Sequence, residues 1–450
     1  MSVYKNVIIV GAGFSGIAAA RVLHLANIPF ILLEARDRLG GRTHTQKISD
    51  TAYIELGGQW IGATQERMYA LAKEHGIEWF ETYNKGKNII DLNKKIREYT
   101  GLIPKMDLLS LINIEWVIRK LEAMAKKMDV QEPWSHPRAN EFDAQSLDAF
   151  VKAKCFRADA YKILSAGLET VFACMLNEIS LLHALFYIRS GSSLNILLSI
   201  EKGAQQHRLK GGMQNLAEQM AKAFAHQIKY NHAVTKITQE KNKVIVAGER
   251  FSYEADKVIL AVPPVLLADM AFHPPLPKDK IQVIEKIFMG NVGKVFGVYA
   301  KPFWRDKGFS GQVVADELGP FQTLFDLSPA DGSCGILLAF CLAGRAEDFF
   351  SKSEAKRKEI ATQYFQKYFG EEANQMLSYH DHTWRYETWS RGCFAGIYPP
   401  NTWTNHQNAL AAVYGNIHWA GTETADVWYG YIEGAVRAGE RAAKEILSSI

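Results

Sequence analysis

Gly11-Ala12-Gly13-Phe14-Ser15-Gly16 follows the apolar run Asn6-Val-Ile-Ile-Val10 and opens the small-residue stretch 17–26. The β-branched run reads as a buried strand and the alanine-rich stretch as a helix that packs closely on it. In this Gly-x-Gly-x-x-Gly pattern the first glycine permits a tight turn, the second lets a pyrophosphate approach the backbone, and the third lets helix and strand touch. The start of the helix offers free N–H groups and a partial positive charge to phosphates. Pro29-Phe-Ile-Leu-Leu-Glu34 reads as the next strand. It ends in an acid roughly 20 residues on, where a carboxylate accepts from ribose hydroxyls and repels a 2′-phosphate. A lone glycine pattern is as readily an ordinary turn; the strand, helix, strand and acid around this one make it a dinucleotide site. NAD and FAD both fit it.

The chain has 450 residues, 48% hydrophobic and 22% charged, an ordinary globular composition long enough for two or three domains. Its 52 basic and 48 acidic residues leave a net charge of +4 with no long block of either sign, so a nucleic-acid partner is not expected. The five cysteines, Cys155, Cys174, Cys334, Cys341 and Cys393, show none of the close pairs of zinc sites or redox dithiols, which fits a reducing compartment. The first apolar run leads straight into the glycine loop and leaves no place for a secretory signal. Residues 258–268 are apolar but carry two prolines and fall short of the roughly 20 residues of a membrane span. The expectation is a soluble, cytoplasmic protein.

Over residues 107–128, Leu108, Leu111, Ile112, Trp116 and Leu121 recur at helical spacing. They read as a stripe facing the core, with contact to a membrane or to a partner subunit, as in a homodimer, as the alternative. A second helical region covers 146–198. Near Lys229 the texture changes to short strands at 244–246 and 251–253 before a buried strand at 257–262, and a helix over 431–448 closes the chain. Alternating helical and strand-rich blocks predict two domains interleaved in sequence. His380 and His382 point to one strand face without further ligands, so no metal site is expected.

Glu34-Ala-Arg-Asp-Arg-Leu-Gly-Gly-Arg42 adds a diglycine and arginines that suit a pyrophosphate, although Arg36 and Arg38 also read as plain surface charges. Gly40-Gly-Arg42, Glu55-Leu-Gly-Gly-Gln-Trp60, Trp419-Ala-Gly-Thr-Glu-Thr424 and Gly430-Tyr-Ile-Glu-Gly-Ala435 together resemble the flavin monoamine oxidase family, over essentially the whole chain. The resemblance implies FAD, not NAD. It implies an α/β fold in which a Rossmann-like FAD-binding domain (1–79, 210–284, 387–450) is interleaved with an α+β substrate domain (80–209, 285–386). It implies FAD contacts from Gly11, Gly13, Ser15, Gly16, Glu34, Arg36, Gly41, Arg42, Gly58, Gln59, Trp60, Val234, Cys393, Thr422, Glu423, Tyr431 and Ile432. Val234 on its own reads as a core residue; only the family pattern makes it an adenine contact through its backbone. Mitochondrial members carry a C-terminal membrane helix, and no such tail is expected after Ile450.

The same resemblance places the reaction at Lys294, Trp384, Phe394 and Tyr431. Lys294 interrupts the apolar run Met289-Gly-Asn-Val-Gly-Lys-Val-Phe-Gly-Val298, as an edge-strand residue or a functional buried amine. Its family role is to hold a water against flavin N5. Phe394 and Tyr431 would form the two walls of an aromatic cage, with phenylalanine where the monoamine oxidases usually present tyrosine. Trp384, otherwise a core residue, would pack beside the flavin and Lys294. Gln205, Leu198, Thr323 and Phe325 would line the substrate cavity. Cys393, in Trp389-Ser-Arg-Gly-Cys-Phe394, resembles the cysteine bonded to the flavin 8α-methyl; Arg391 departs from the family glycine, and a small buried hydrophobe is the alternative. The implied reaction oxidises primary or secondary amines to aldehydes with oxygen as acceptor, releasing ammonia or amine and hydrogen peroxide. Polyamine or diamine oxidation and L-amino-acid oxidation are the alternatives.

Overall fold

Asn6-Val-Ile-Ile-Val10 ends strand β1 (Val3–Val10) in a computed structural model that describes residues 3–49, 52–101, 104–316 and 319–449. Helix α1 (Phe14–Leu25) starts directly after Gly13, three residues earlier than the sequence suggests, so Gly16 lies inside its first turn. Only glycine permits this, because a side chain at Gly16 would meet the Gly11 carbonyl oxygen at 1.8 Å. Strand β2 (Phe30–Leu33) runs parallel to β1, with Val7 to Val10 opposite Phe30 to Leu33.

The first sheet runs Ile228–Lys229, β2, β1, Ser252–Leu260, Val244–Ala247, Lys236–Gln239, Ala271–His273. The two strands expected near 251–253 and 257–262 are one nine-residue strand, Ser252–Leu260. It pairs parallel with β1 and with Ile417–Trp419, and antiparallel with Val244–Ala247, so chain segments from both ends meet on it. The C-terminal helix Ile432–Leu447 packs on α1, and a side chain at Gly439 would strike the Ser15 carbonyl oxygen at 1.9 Å.

The second sheet runs Ser378–Thr383, Val292–Tyr299, Gly335–Leu342, Thr323–Asp326, Phe309–Ala315, Lys87–Leu92, Lys95–Tyr99. Its register sets Lys294 opposite Phe340, Phe340 opposite Thr323, Thr323 opposite Val314, and Val314 opposite Ile90. Residues directly opposite share a face. One side of the sheet therefore carries a continuous row from Lys294 to Ile90. The helical region at 146–198 is four helices, Leu147–Lys154, Ala158–Phe172, Leu181–Ser190 and Leu194–Leu198.

Helix Leu108–Ala125 forms as expected, but of its expected apolar stripe only Leu121 is buried. Leu108, Ile112 and Trp116 are 71%, 51% and 40% exposed, while Ser110, Asn113, Val117 and Leu121 are buried. Asn113 sets this rotation. Its Nδ2 donates to the Lys154 carbonyl at 3.1 Å and its Oδ1 accepts from the Phe156 and Arg157 N–H groups. Among the described residues, no helix is long and apolar enough to cross a membrane, and no group of His, Cys, Asp or Glu is arranged to hold a metal ion. His380 instead meets Ser378 Oγ at 3.0 Å, and His382 stands edge-on to Trp384.

Candidate active site

One cavity of about 670 Å³ runs from the glycine loop to the second sheet. At the loop end its wall includes Gly11, Gly13, Ser15, Glu34 and Arg36. Gly16 lies beneath the loop, off the wall. Glu34 is buried, and its Oε2 accepts from the Ala12 N–H at 2.7 Å and its Oε1 from the Arg36 N–H at 2.9 Å. Each oxygen keeps a lone pair for a further donor. Val234 is also buried on this wall, and among the described residues neither its N–H nor its carbonyl makes a hydrogen bond. An unpaired buried backbone donor and acceptor is costly until a partner arrives, and the edge of an adenine is such a partner.

The C-terminal motif folds onto the N-terminal one. Ser15 Oγ accepts from the Gly421 N–H at 2.7 Å, and Thr422 Oγ1 accepts from the Gly430 N–H at 2.8 Å and donates to the Tyr431 carbonyl at 3.0 Å. Arg42 grips Glu423 through two bonds of 2.5 and 3.0 Å and donates to the Phe394 carbonyl at 2.8 Å. Burial by itself would lower the Arg42 pKa; Glu423 more than offsets this and raises it. Glu423 also accepts from the Gly396 N–H at 3.1 Å and so sits behind the wall, whereas Gly41, Arg42, Thr422 and Ile432 face the cavity. Arg36 donates to Ser390 Oγ at 2.9 Å and to Glu387 at 3.2 Å. Arg38 is a staple, not a surface charge. Its Nη1 donates to the carbonyls of Leu39, Gly41 and Thr43, and burial pulls its pKa down to about 10.

At the other end Lys294 is 2% exposed. Its Nζ donates to the Glu55 carbonyl at 2.9 Å, the Gly57 carbonyl at 2.6 Å and Gln59 Oε1 at 2.7 Å, which uses all three donors of an ammonium. Burial lowers the Lys294 pKa well below the ordinary lysine range, with the Glu55 carboxylate pulling the other way. Burial likewise raises Glu55, which accepts from the Met213 N–H at 2.6 Å and from Thr45 Oγ1 at 2.9 Å. The segment Glu55 to Trp60 is thus a cradle for Lys294, a link that sequence reading did not make. Trp384 is fully buried and off the wall. It donates to the Leu56 carbonyl at 2.8 Å and backs Gly57, where a side chain would come within 2.9 Å of its ring, so it braces the cradle from behind. Gly58, Gln59 and Trp60 face the cavity, with Gln59 Nε2 and Trp60 Nε1 buried and unpaired among the described residues.

Aromatic rings close the space beyond Lys294. Phe325 stands edge-on to Trp60 at 5.3 Å and to Phe340 at 5.9 Å, and Phe394 stands edge-on to Phe340 at 6.4 Å. Tyr431 meets Trp428 at 4.7 Å and Tyr187 at 6.1 Å. Phe394 and Tyr431 both face the cavity and make no ring contact with each other. Phe340, Tyr187 and Trp428 were missed in sequence. Phe340 arrives only through its register opposite Lys294, and no local signal marks it. Cys393 is on the wall; burial raises its thiol pKa, and Arg42 opposes the rise. Gln205 donates to the Leu197 carbonyl at 3.1 Å, and its Oε1, like Thr323 Oγ1, is buried and unpaired among the described residues. Leu198, 39% exposed, completes this end of the wall with Gln205, Thr323 and Phe325.

Residues 14–447 match the family described as flavin containing amine oxidoreductase. A Mycobacterium tuberculosis protein provisionally named flavin-containing monoamine oxidase AofH is 37% identical over 441 residues, 98% of this chain and 96% of its own. Flavin-containing amine oxidase B of Sus scrofa is 32% identical over 454 residues, 100% of this chain and 87% of its own. Among solved structures, a putrescine oxidase from a redesign of cofactor binding superposes with a TM-score of 0.96 at 30% identity over 100% of both chains. Cyclohexylamine oxidase from Brevibacterium oxydans does so with 0.94 at 25% identity over 99% of both. The match runs through both ends of the cavity, and the chain is therefore a member of the flavin-containing amine oxidoreductase family, an oxidoreductase that acts on amines.

Proposed function

We propose that this enzyme uses FAD to oxidise primary amines, and secondary amines with them, to aldehydes. The observation that carries the reading is a buried lysine, Lys294, at the aromatic end of a cavity whose other end is the glycine loop. In this reading Gly11, Gly13 and Thr422 lie against the phosphates, Glu34 takes the ribose hydroxyls and the Val234 backbone meets the adenine. Cys393 Sγ carries a thioether to the flavin. The cofactor-binding domain is 1–79, 210–284 and 387–450, and the remainder holds the substrate. Five free cysteines fit residence in a reducing cytoplasm.

FAD supplies the centre that takes two electrons from the C–N unit and passes them to oxygen. In sum R–CH2–NH2, O2 and H2O give R–CHO, NH3 and H2O2. The chain's part is to hold the amine between Phe394 and Tyr431 and to keep water out. An alkylamine has a pKa of about 10.4, so presenting it unprotonated at neutral pH costs roughly 4 to 5 kcal/mol. The acidic residues of the wall are Glu34 and Asp269, in the segments that carry the first sheet. A substrate ammonium near Lys294 therefore touches no carboxylate on the wall among the described residues. Cation–π attraction returns at most about 2 kcal/mol, less than the desolvation of the cation costs, so the site favours the neutral amine.

A diamine needs an acid at the far end of the cavity and an amino acid needs a free arginine. Arg36, Arg42 and Arg391 are taken by Glu387, Glu423 and Asp269. Simple amines are the better fit. Hydrogen peroxide release on a panel of alkylamines, aralkylamines, diamines and L-amino acids tests this. Peroxide from diamines or amino acids alone overturns it.

A further inference from the structure

The wall of the cavity changes character across the second sheet. Lys294, Phe340, Thr323, Val314 and Ile90 form one row by register, and Gln312 and Asn88, two residues before Val314 and Ile90, share that face. Strands lie about 4.8 Å apart, so three steps put the Gln312 strand roughly 14 Å from the Lys294 strand. There the wall carries carboxamides, Asn84, Asn88 and Gln312, and no charged side chain among the described residues. Asn88 is fully engaged, its Oδ1 accepting from Ser310 Oγ at 2.5 Å and its Nδ2 donating to the Gly101 carbonyl at 3.0 Å. Gln312 Nε2 donates to Asn84 Oδ1. The other halves of that pair, the Asn84 amide N–H2 and Gln312 Oε1, have no partner among the described residues, and both residues line the wall. A free donor and a free acceptor are what a carboxamide takes.

We propose that Asn84 and Gln312 form a distal subsite for an uncharged hydrogen-bonding group, a carboxamide above all, at the far end of an elongated amine whose amino group reaches Lys294. The preferred substrate class is then ω-aminoalkyl amides. A distal ammonium or carboxylate loses its hydration there without meeting an opposite charge. The inference rests on the amine oxidase reading.

The test compares kcat/KM for ω-aminoalkyl amides of increasing chain length with n-alkylamines, diamines and ω-amino acids of equal length. The amides are expected to exceed the alkylamines by roughly five- to twenty-fold at one chain length, the yield of one or two hydrogen bonds. Gln312→Leu should collapse that ratio, and Gln312→Glu should move the preference from the amide to the diamine. Oxidation of alkylamines with no preference for amides at any length, or a ratio unmoved by Gln312→Leu, overturns the subsite and leaves the amine oxidase reading standing. Oxidation of no amine at all overturns that reading instead.

Discussion

Arg42 and Glu423 stand 381 positions apart in the chain and meet in a two-bond ion pair of 2.5 and 3.0 Å, with the glutamate side chain 1% exposed. The pair joins the diglycine turn to the C-terminal motif, and through the Phe394 carbonyl it also fixes an aromatic wall. Removing one partner leaves a buried charge uncompensated, which costs about 3 to 5 kcal/mol. Arg42→Met and Glu423→Gln are each expected to lower the unfolding temperature, and the double variant to lose less than the sum of the two. Thermal unfolding of the four proteins measures this; strictly additive losses would sink the coupling.

Lys294 gives a second prediction. Its ammonium is held by three oxygens of the Glu55 to Gln59 cradle, so Lys294→Met leaves two carbonyls unpaired and loosens the cradle at the reacting end of the cavity. Stopped-flow measurement of reduction by amine and of reoxidation by oxygen should find at least one of the two slowed by about a hundredfold, the scale of a small misplacement at a reacting centre. Unchanged rates in both half-reactions remove Lys294 from the site.

Cys393 faces the cavity with its thiol pKa raised by burial and partly restored by Arg42. Only the thiolate attacks, so attachment of FAD should be slow at neutral pH and faster as pH rises. Acid precipitation of the mature protein should leave the yellow colour in the pellet, and Cys393→Ala should move it to the supernatant. Colour in the wild-type supernatant means that no thioether forms.

The dinucleotide half of the site was legible because its signals are local. Gly11 to Gly16 and Glu34 fall within one strand, helix, strand unit, and their chemistry follows from spacing. The Lys294 end was legible only in part. Lys294 stood out as a charge in an apolar run, but Phe340 and Val314 reach the cavity through strand register, which a sequence does not display. Trp384, expected beside the flavin and Lys294, lies off the cavity wall and braces the Lys294 cradle through Leu56 and Gly57. For helix Leu108–Ala125 periodicity gave the element and misjudged its rotation, because a single buried Asn113 with three backbone partners outweighs a stripe of exposed apolar side chains.

Lys280 lies far from this chemistry and gives a prediction about stability. It is 2% exposed, its Nζ donates to the Leu410 carbonyl at 2.7 Å and sits 3.9 Å from the centre of the Trp419 ring, and burial lowers its pKa to about 7. Among the described residues no carboxylate pairs with it, and the Trp419 face returns only part of the cost of burying the cation. In the unfolded chain the group titrates at its ordinary value of 10.5. Between about pH 7 and 10 the unfolded state therefore holds a proton that the folded state has released. The Lys280 contribution to stability therefore rises with pH across that window, by at most about 1.4 kcal/mol per unit for one proton. Below it both states are protonated, and the full cost of the buried ammonium remains. Urea unfolding of the flavin-loaded protein and of Lys280→Met at a series of pH values should show the stability difference between them shifting in favour of the parent protein as pH rises across that window. Parallel profiles for the two proteins would mean that Lys280 keeps its proton in the folded state, with the Trp419 ring and the Leu410 carbonyl sufficient to hold it.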